Sequence, residues 1–247
     1  MLADVSVKQV VARMKTVEVA DIKSKTRVTK DPEVRKAELI DAAEELFREK
    51  GYEQTSVSDI VKKIDVAQGT FYYYFKSKDD ILDAVIDHYI DNSRKAVERL
   101  AADETIDPCK KVEILVNSTL NIYDEKLAAF MHSEENLATH QRYMLRSFDA
   151  LMPPIVEILE QGVKAGVFNV RYARESVEIL LYAFSYLQES IAMCRDREAS
   201  ARLLGAAEDI LTRVLGAEPG RLKLDPGSTE LLQINDTHHW GHEGGRA

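Results

Sequence analysis

Apolar residues recur at helical intervals along most of the chain. Asp31-Pro32 supplies a cap followed by proline at a first helical position, Ala37, Ile40, Ala43 and Phe47 then share one face, and Gly51 ends the run. Val57, Ile60, Val61 and Ile64 mark a second helix that Thr55 or Ser56 caps. A three-residue break, Asp65-Val66-Ala67, leads into a short aromatic helix from Gln68 to Phe75. Ser77, with Asp80 as its capping-box partner, opens a helix carrying Ile81, Leu82, Val85, Ile86, Tyr89 and Ile90 and continuing to Leu100.

The remainder reads as helix after helix, with no convincing two-residue alternation and no internal repeat. Asp107-Pro108 opens one element, and Gly166-Val167-Phe168 closes another that Pro153-Pro154 must kink or split. Two further helices are expected at about Tyr172–Cys194 and Asp196–Leu215. After Gly216 the periodicity dissolves into Pro219, Gly220, Pro226, Gly227 and a His/Gly-rich end, which reads as a flexible tail over 217–247. At the other end, residues 1–30 hold 7 Lys+Arg against Asp4, Glu18 and Asp21 and read as a basic extension. Val7, Val10, Val11 and Met14 have helical spacing there, and an arm that touches DNA competes with a loosely ordered leader.

Charge changes this picture only through its distribution. The net value of -9 comes wholly from residues 81–247, because residues 1–80 hold 15 Lys+Arg and 15 Asp+Glu. From Val66 to Lys78 there is no acid, while Lys76 and Lys78 are present. A locally positive surface on an acidic protein still binds phosphates. No apolar run approaches the ~18 residues a membrane helix needs, and the first residues lack signal-peptide order, so a cytoplasmic protein without membrane partners is expected. Cys109 and Cys194 fit neither a disulfide framework nor a zinc site and read as small hydrophobes.

Candidate chemistry concentrates between Val57 and Phe75, where two short helices joined by a tight break have helix-turn-helix form. Such a motif must brace its second helix so that the leading residues enter a major groove about 12 Å wide. Ile60, Val61, Ile64 and Val66 supply the brace, and Gly69 is small where the helix approaches the DNA backbone. Thr70 and Tyr72 reach base edges, and Tyr73, Tyr74 and Lys78 reach phosphates. An aromatic core cluster is the competing account of Phe71-Tyr72-Tyr73-Tyr74-Phe75. Three adjacent tyrosines point in successive directions, however, so Phe71 and Phe75 can take the buried face and leave the hydroxyls for contacts.

Residues 33–90, and above all TSVSDIVKKIDVAQGTFYYYFKSKDDIL from Thr55 to Leu82, resemble the DNA-binding head of the TetR family of bacterial regulators. The resemblance implies an all-α fold, with an N-terminal three-helix helix-turn-helix head joined to a helical ligand-binding and dimerisation body. The expected boundaries are 31–78 for the head and 79–216 for the body. The implied function is a ligand-responsive regulator, as a repressor, that binds a pseudo-palindromic duplex as a homodimer and is released by a small-molecule effector. By matching positions, Gln68, Gly69, Thr70 and Tyr72 approach bases, and Thr55, Tyr73, Tyr74 and Lys78 hold phosphates. Two departures stand out. Asp65 occupies a turn position where the family often has glycine, and Ala67-Gln68 replaces a frequent Ser-Lys.

In the body, the last two helices are expected to pair subunits through Leu180, Phe184, Leu187, Ile191, Leu203, Ala207, Ile210 and Leu211. A pocket for the unknown effector is expected around Tyr123, Phe130, His132, His140, Tyr143 and Met144, with Phe148 beside them, although such spacing also suits plain core. His132, Glu135 and His140 lie close enough to orient a polar ligand or hold a metal, but their spacing is irregular. His238, His239 and His242 read as part of an exposed flexible tail more than as a divalent-ion site, so no metal and no cofactor is expected. An all-α enzyme or a helical protein–protein adaptor is the alternative. No paired nucleophile and base and no phosphate-cradling glycine loop supports the enzyme.

Overall fold

A computed structural model of the chain describes residues 31–121, 137–194 and 196–225. All the regular structure among them is helical: α1 (Pro32–Lys50), α2 (Val57–Lys63), α3 (Gln68–Tyr74), α4 (Lys78–Ala102), α5 (Pro108–Asn121), α6 (Leu137–Lys164), α7 (Ala173–Met193) and α8 (Arg197–Leu215). The helix ends are chemically marked. The Asp31 carboxylate accepts from the Glu33 N–H at 2.9 Å, Ser56 and Asp59 form a reciprocal capping box on α2, and Ser77 Oγ accepts from the Asp80 N–H at 3.1 Å. Asp80 itself reaches one residue beyond the cap and accepts from the Lys76 N–H at 2.9 Å.

Two hydrophobic clusters organise the molecule. The first gathers Leu39, Ala43, Phe47, Ile60, Phe71 and Phe75 with the N-terminal part of α4, from Ile81 to Ile90. The second takes Val97, Leu100 and Ala101 from the far end of α4 and builds on them with α5, the C-terminal part of α6, α7 and α8. Among the described residues, α4 and α6 are the helices that contribute to both clusters.

α6 runs through Pro153 and Pro154 as one helix, which removes the split that the proline pair invited. Each proline withdraws one N–H from the helical ladder, but the surrounding turns bury Met152, Ile155, Ile158 and Leu159 in the body core. That packing outweighs the lost bonds.

Residues 217–225, at the start of the expected tail, pack onto the body. Leu222 is fully buried in the body core, and Ala217 and Leu224 pack with it. Three successive N–H groups, from Lys223, Leu224 and Asp225, donate to Glu113 Oε1, Glu208 Oε2 and Asn117 Oδ1 at 2.8, 3.0 and 2.9 Å. Residues 217–225 therefore strap α5 to α8. Proline and glycine break helical periodicity without preventing an extended segment from packing.

The eight residues expected to pair subunits differ in their exposure within one chain. Leu187 and Leu211 are 6% and 2% exposed and belong to the core of their own chain, while Leu180, Phe184, Ile191, Leu203 and Ala207 are half-buried against it. Of the eight expected residues only Ile210 is well exposed, at 55%. Among the described residues, the exposed large apolar side chains of these helices are Ile179, Tyr182 and Tyr186 of α7 and Ile210 and Val214 of α8. Both helices are apolar on more than one side, so sequence periodicity could not say which side their own chain uses.

Candidate nucleic-acid interface

The site grows from a turn in which the side chains do unusual work. Asp65 adopts φ 53, the left-handed conformation that glycine takes most readily. Its N–H donates to the Lys62 carbonyl at 3.2 Å, and the Val66 N–H donates to the Val61 carbonyl at 3.0 Å, so the turn closes back on α2. α3 then starts at Gln68 without a side-chain cap.

α3 divides cleanly by face. Phe71 is completely buried and Phe75 is 4% exposed, with ring centroids 5.7 Å apart, and both lock into the head core. Tyr72 and Tyr73 are 55% and 76% exposed. Gln68 and Gly69 are also exposed, whereas Thr70 and Tyr74 are half-buried. A Cβ added at Gly69 would meet no atom within 4 Å. No described residue of the chain uses the smallness of that glycine.

Thr55 and Lys78 are placed differently from the exposed set. Thr55 is 1% exposed, and its hydroxyl donates to the Gly51 carbonyl at 2.8 Å, pinning the α1–α2 turn. It offers no hydroxyl to a phosphate; Ser56 is the true cap of α2. Lys78 is half-buried, with Nζ donating to the Tyr52 carbonyl at 3.0 Å and lying 4.0 Å from the centroid of the Tyr52 ring. Tyr52 in turn donates its hydroxyl to Asp79. Burial first, and then that bond to Asp79, push the Tyr52 phenol above its ordinary range, so the hydroxyl stays a donor. The sequence reading missed Tyr52, although an aromatic just after a helix-ending glycine is a visible signal.

The charges around α3 are sorted by pairing. Lys50 holds Asp59 at 2.8 Å and Lys63 holds Glu45 at 2.7 Å. The Lys50 ammonium, helped by the Ser56 hydroxyl, keeps the Asp59 carboxyl well below the usual range. Lys76, one residue past Phe75, is exposed, and no ion pair engages its ammonium among the described residues. It was counted in the local charge but left out of the contact set.

Of the expected effector residues, His140, Tyr143 and Met144 lie close together on α6. Tyr123, Phe130 and His132 lie outside the described residues. His140 is half-buried, with Nε2 at 3.9 Å from Glu189 Oε1, and Met144 is half-buried. Tyr143 packs against the head cluster, and Phe148 meets Tyr182 edge-on at 4.8 Å. A surface groove lies elsewhere, between the end of α6 and the start of α7, lined by Val163, Lys164, Arg171, Tyr172 and Arg174 among others.

Comparison with known proteins converges on one family. Residues 39–85 match the family model described as bacterial regulatory proteins, tetR family, and residues 120–210 match that of the tetracyclin repressor-like C-terminal domain. The fatty acid metabolism regulator protein of Bacillus subtilis (strain 168) is 31% identical over 57% of this chain and 76% of its own length. The HTH-type transcriptional repressor KstR2 of Rhodococcus jostii (strain RHA1) is 27% identical over 63% of this chain and 76% of its own. Among solved structures, a TetR/AcrR-family transcriptional regulator from Thermobifida fusca YX-ER1 is similar with a TM-score of 0.50 and 25% identity, covering 68% of this chain and 93% of that one. All three are described as regulators or repressors, and no described helix is long and apolar enough to cross a membrane. With a helix-turn-helix head and an all-helical body both accounted for, the chain belongs to the TetR family of bacterial transcriptional regulators.

Proposed function

We propose that this regulator is a repressor that binds a pseudo-palindromic operator as a homodimer and leaves it when a small molecule occupies the body. The observation that carries the reading is the two-faced α3, which buries Phe71 and Phe75 and turns Gln68, Gly69, Tyr72 and Tyr73 outward. Gln68 and Tyr72, with the half-buried Thr70, read base edges in the major groove, where glutamine pairs with adenine through two hydrogen bonds. Gly69 lets the helix come close to the sugar–phosphate backbone. Tyr73, Tyr74, Lys76 and Lys78 hold phosphates, and Thr55 drops out because its hydroxyl is spent inside the turn.

Pairing of subunits uses Ile179, Tyr182 and Tyr186 with Ile210 and Val214, apolar side chains that are exposed among the described residues. A twofold axis there presents two copies of α3 to half-sites about one helical turn of DNA apart. The effector, of unknown identity, is read by the body, with His140 and Met144 on α6 as its described candidates.

Selection of duplexes from a random pool by the purified protein tests the reading. The expected product is an inverted repeat bound by two chains, with affinity that falls steeply as salt rises. Recovery of no enriched duplex would favour a helical protein–protein adaptor instead.

A further inference from the structure

α4 joins the head to the body, but it does not do so alone. Tyr143 and Ala150 on α6 lie against the cluster that the head shares with the N-terminal half of α4, whereas the same helix belongs to the body core from Leu151 onward. Between them, Arg146 Nη1 donates to Asp87 Oδ1 at 3.0 Å and stands 3.7 Å from Asp83 Oδ1, both on α4. Positions 143, 146 and 150 share one side of α6 by helical geometry. Burial pushes up the phenols of both Tyr143 on α6 and Tyr89 on α4. At the other end of α4, Lys111 Nζ donates to the Ala101 carbonyl at 2.7 Å and to Gln161 Oε1 at 2.8 Å, and Gln161 Nε2 donates to the same carbonyl at 2.9 Å.

α4 is therefore fastened to α6 at Asp87 and again at Ala101, roughly 21 Å apart at the helical rise. A head carried on a single helix swings with every bend of that helix. Two fastenings on a second helix make the pair a braced beam. The fastening nearer the head divides the work: Tyr143 supplies buried contact, and the Arg146 fork, an exposed pair of small intrinsic worth, supplies register along α4.

We propose that Tyr143 and Arg146 are positioning residues for DNA binding, which from the body hold the head at one angle and so set the separation of the two α3 helices in the dimer. This rests on the dimeric operator-binding reading above. Neither residue touches DNA. The partner they serve is the geometry of a two-half-site duplex, which tolerates little error in spacing.

Paired spin labels test the proposal without DNA. A full-length Cys194→Ser protein carrying Glu53→Cys places one nitroxide on each head, while the buried Cys109 stays unlabelled. Electron–electron double resonance then gives the head-to-head distance distribution. Arg146→Asp and Tyr143→Ala are expected to broaden it and to weaken binding to the duplex selected by the parent by about tenfold, with dimer mass unchanged. Arg146→Asp combined with Asp87→Arg restores both readouts, while Asp87→Arg alone does not. If Arg146→Asp fails to fold, Arg146→Gln carries the same measurement. Parental distances in the Arg146 variant, or no recovery in the charge swap, overturn the proposal alone. A parent that selects no duplex at all overturns the operator reading together with it.

Discussion

The ring of Phe168 lies on the bare Cα of Gly162: a Cβ built at position 162 would fall 1.9 Å from Cδ2 of that ring. The N–H groups of Val167 and Phe168 both donate to the Gly162 carbonyl, at 3.0 and 3.1 Å. This close approach folds the end of α6 into the start of α7 and so places the helix that carries Ile179, Tyr182 and Tyr186. Gly162→Ala forces the buried ring aside and is expected to cost about 1–3 kcal/mol, the usual range for overpacking. Thermal unfolding measures it, and an unchanged midpoint would show that the turn yields freely.

Gly69 presents the opposite case. Its added methyl meets nothing within 4 Å, and alanine favours a helix by roughly 0.5–1 kcal/mol over glycine. Gly69→Ala is therefore expected to leave the fold as stable as the parent or slightly more so, while weakening duplex binding. Anisotropy titration beside a melting curve separates the two effects. Equal affinity would mean that the duplex does not approach this side of α3.

Lys76 and Lys78 stand two residues apart and differ in what they do for the head. Each alanine substitution is expected to lower the slope of log affinity against log salt by about one, as for one lost phosphate contact. Lys78→Ala also removes the bond to the Tyr52 carbonyl and the ammonium over its ring, so it alone lowers thermal stability. A salt series and a melt on both variants check the pair. Identical melting losses would contradict the division.

Tyr186 and Leu187 are neighbours on α7 with opposite fates, 70% and 6% exposed. Tyr186→Asp is expected to yield a folded monomer, and Ile210→Asp to behave alike. Leu187→Ala instead opens a cavity within one chain and costs about 2–5 kcal/mol. Sedimentation reads the first effect and chemical denaturation the second. A Tyr186→Asp protein that remains dimeric would move the pairing face elsewhere.

Much of the head was legible before any coordinates. Helical spacing of Ile60, Val61 and Phe71, the serine caps and the break before Gln68 are local signals, and α1 to α4 form where they point. Asp65 stands in a turn where the resembling family often has glycine, and it takes a left-handed backbone. The body was legible only as a count of helices. Pro153-Pro154 looked like a breaking point, yet burial on both sides carries α6 through it.

Amino-acid order alone determined where helices start and stop and which face of α3 is aromatic, because caps, turns and periodicity act over a few residues. It could not settle which apolar side of α7 and α8 belongs to their own core, nor that Leu222 is buried beyond the last helix. Nor could it show that Tyr143 packs against the cluster shared by the head and α4, or that the Thr55 hydroxyl is consumed within a turn. Those outcomes depend on which distant surfaces meet. An apolar side chain gains much the same from any apolar neighbour, so only tertiary packing chooses among them.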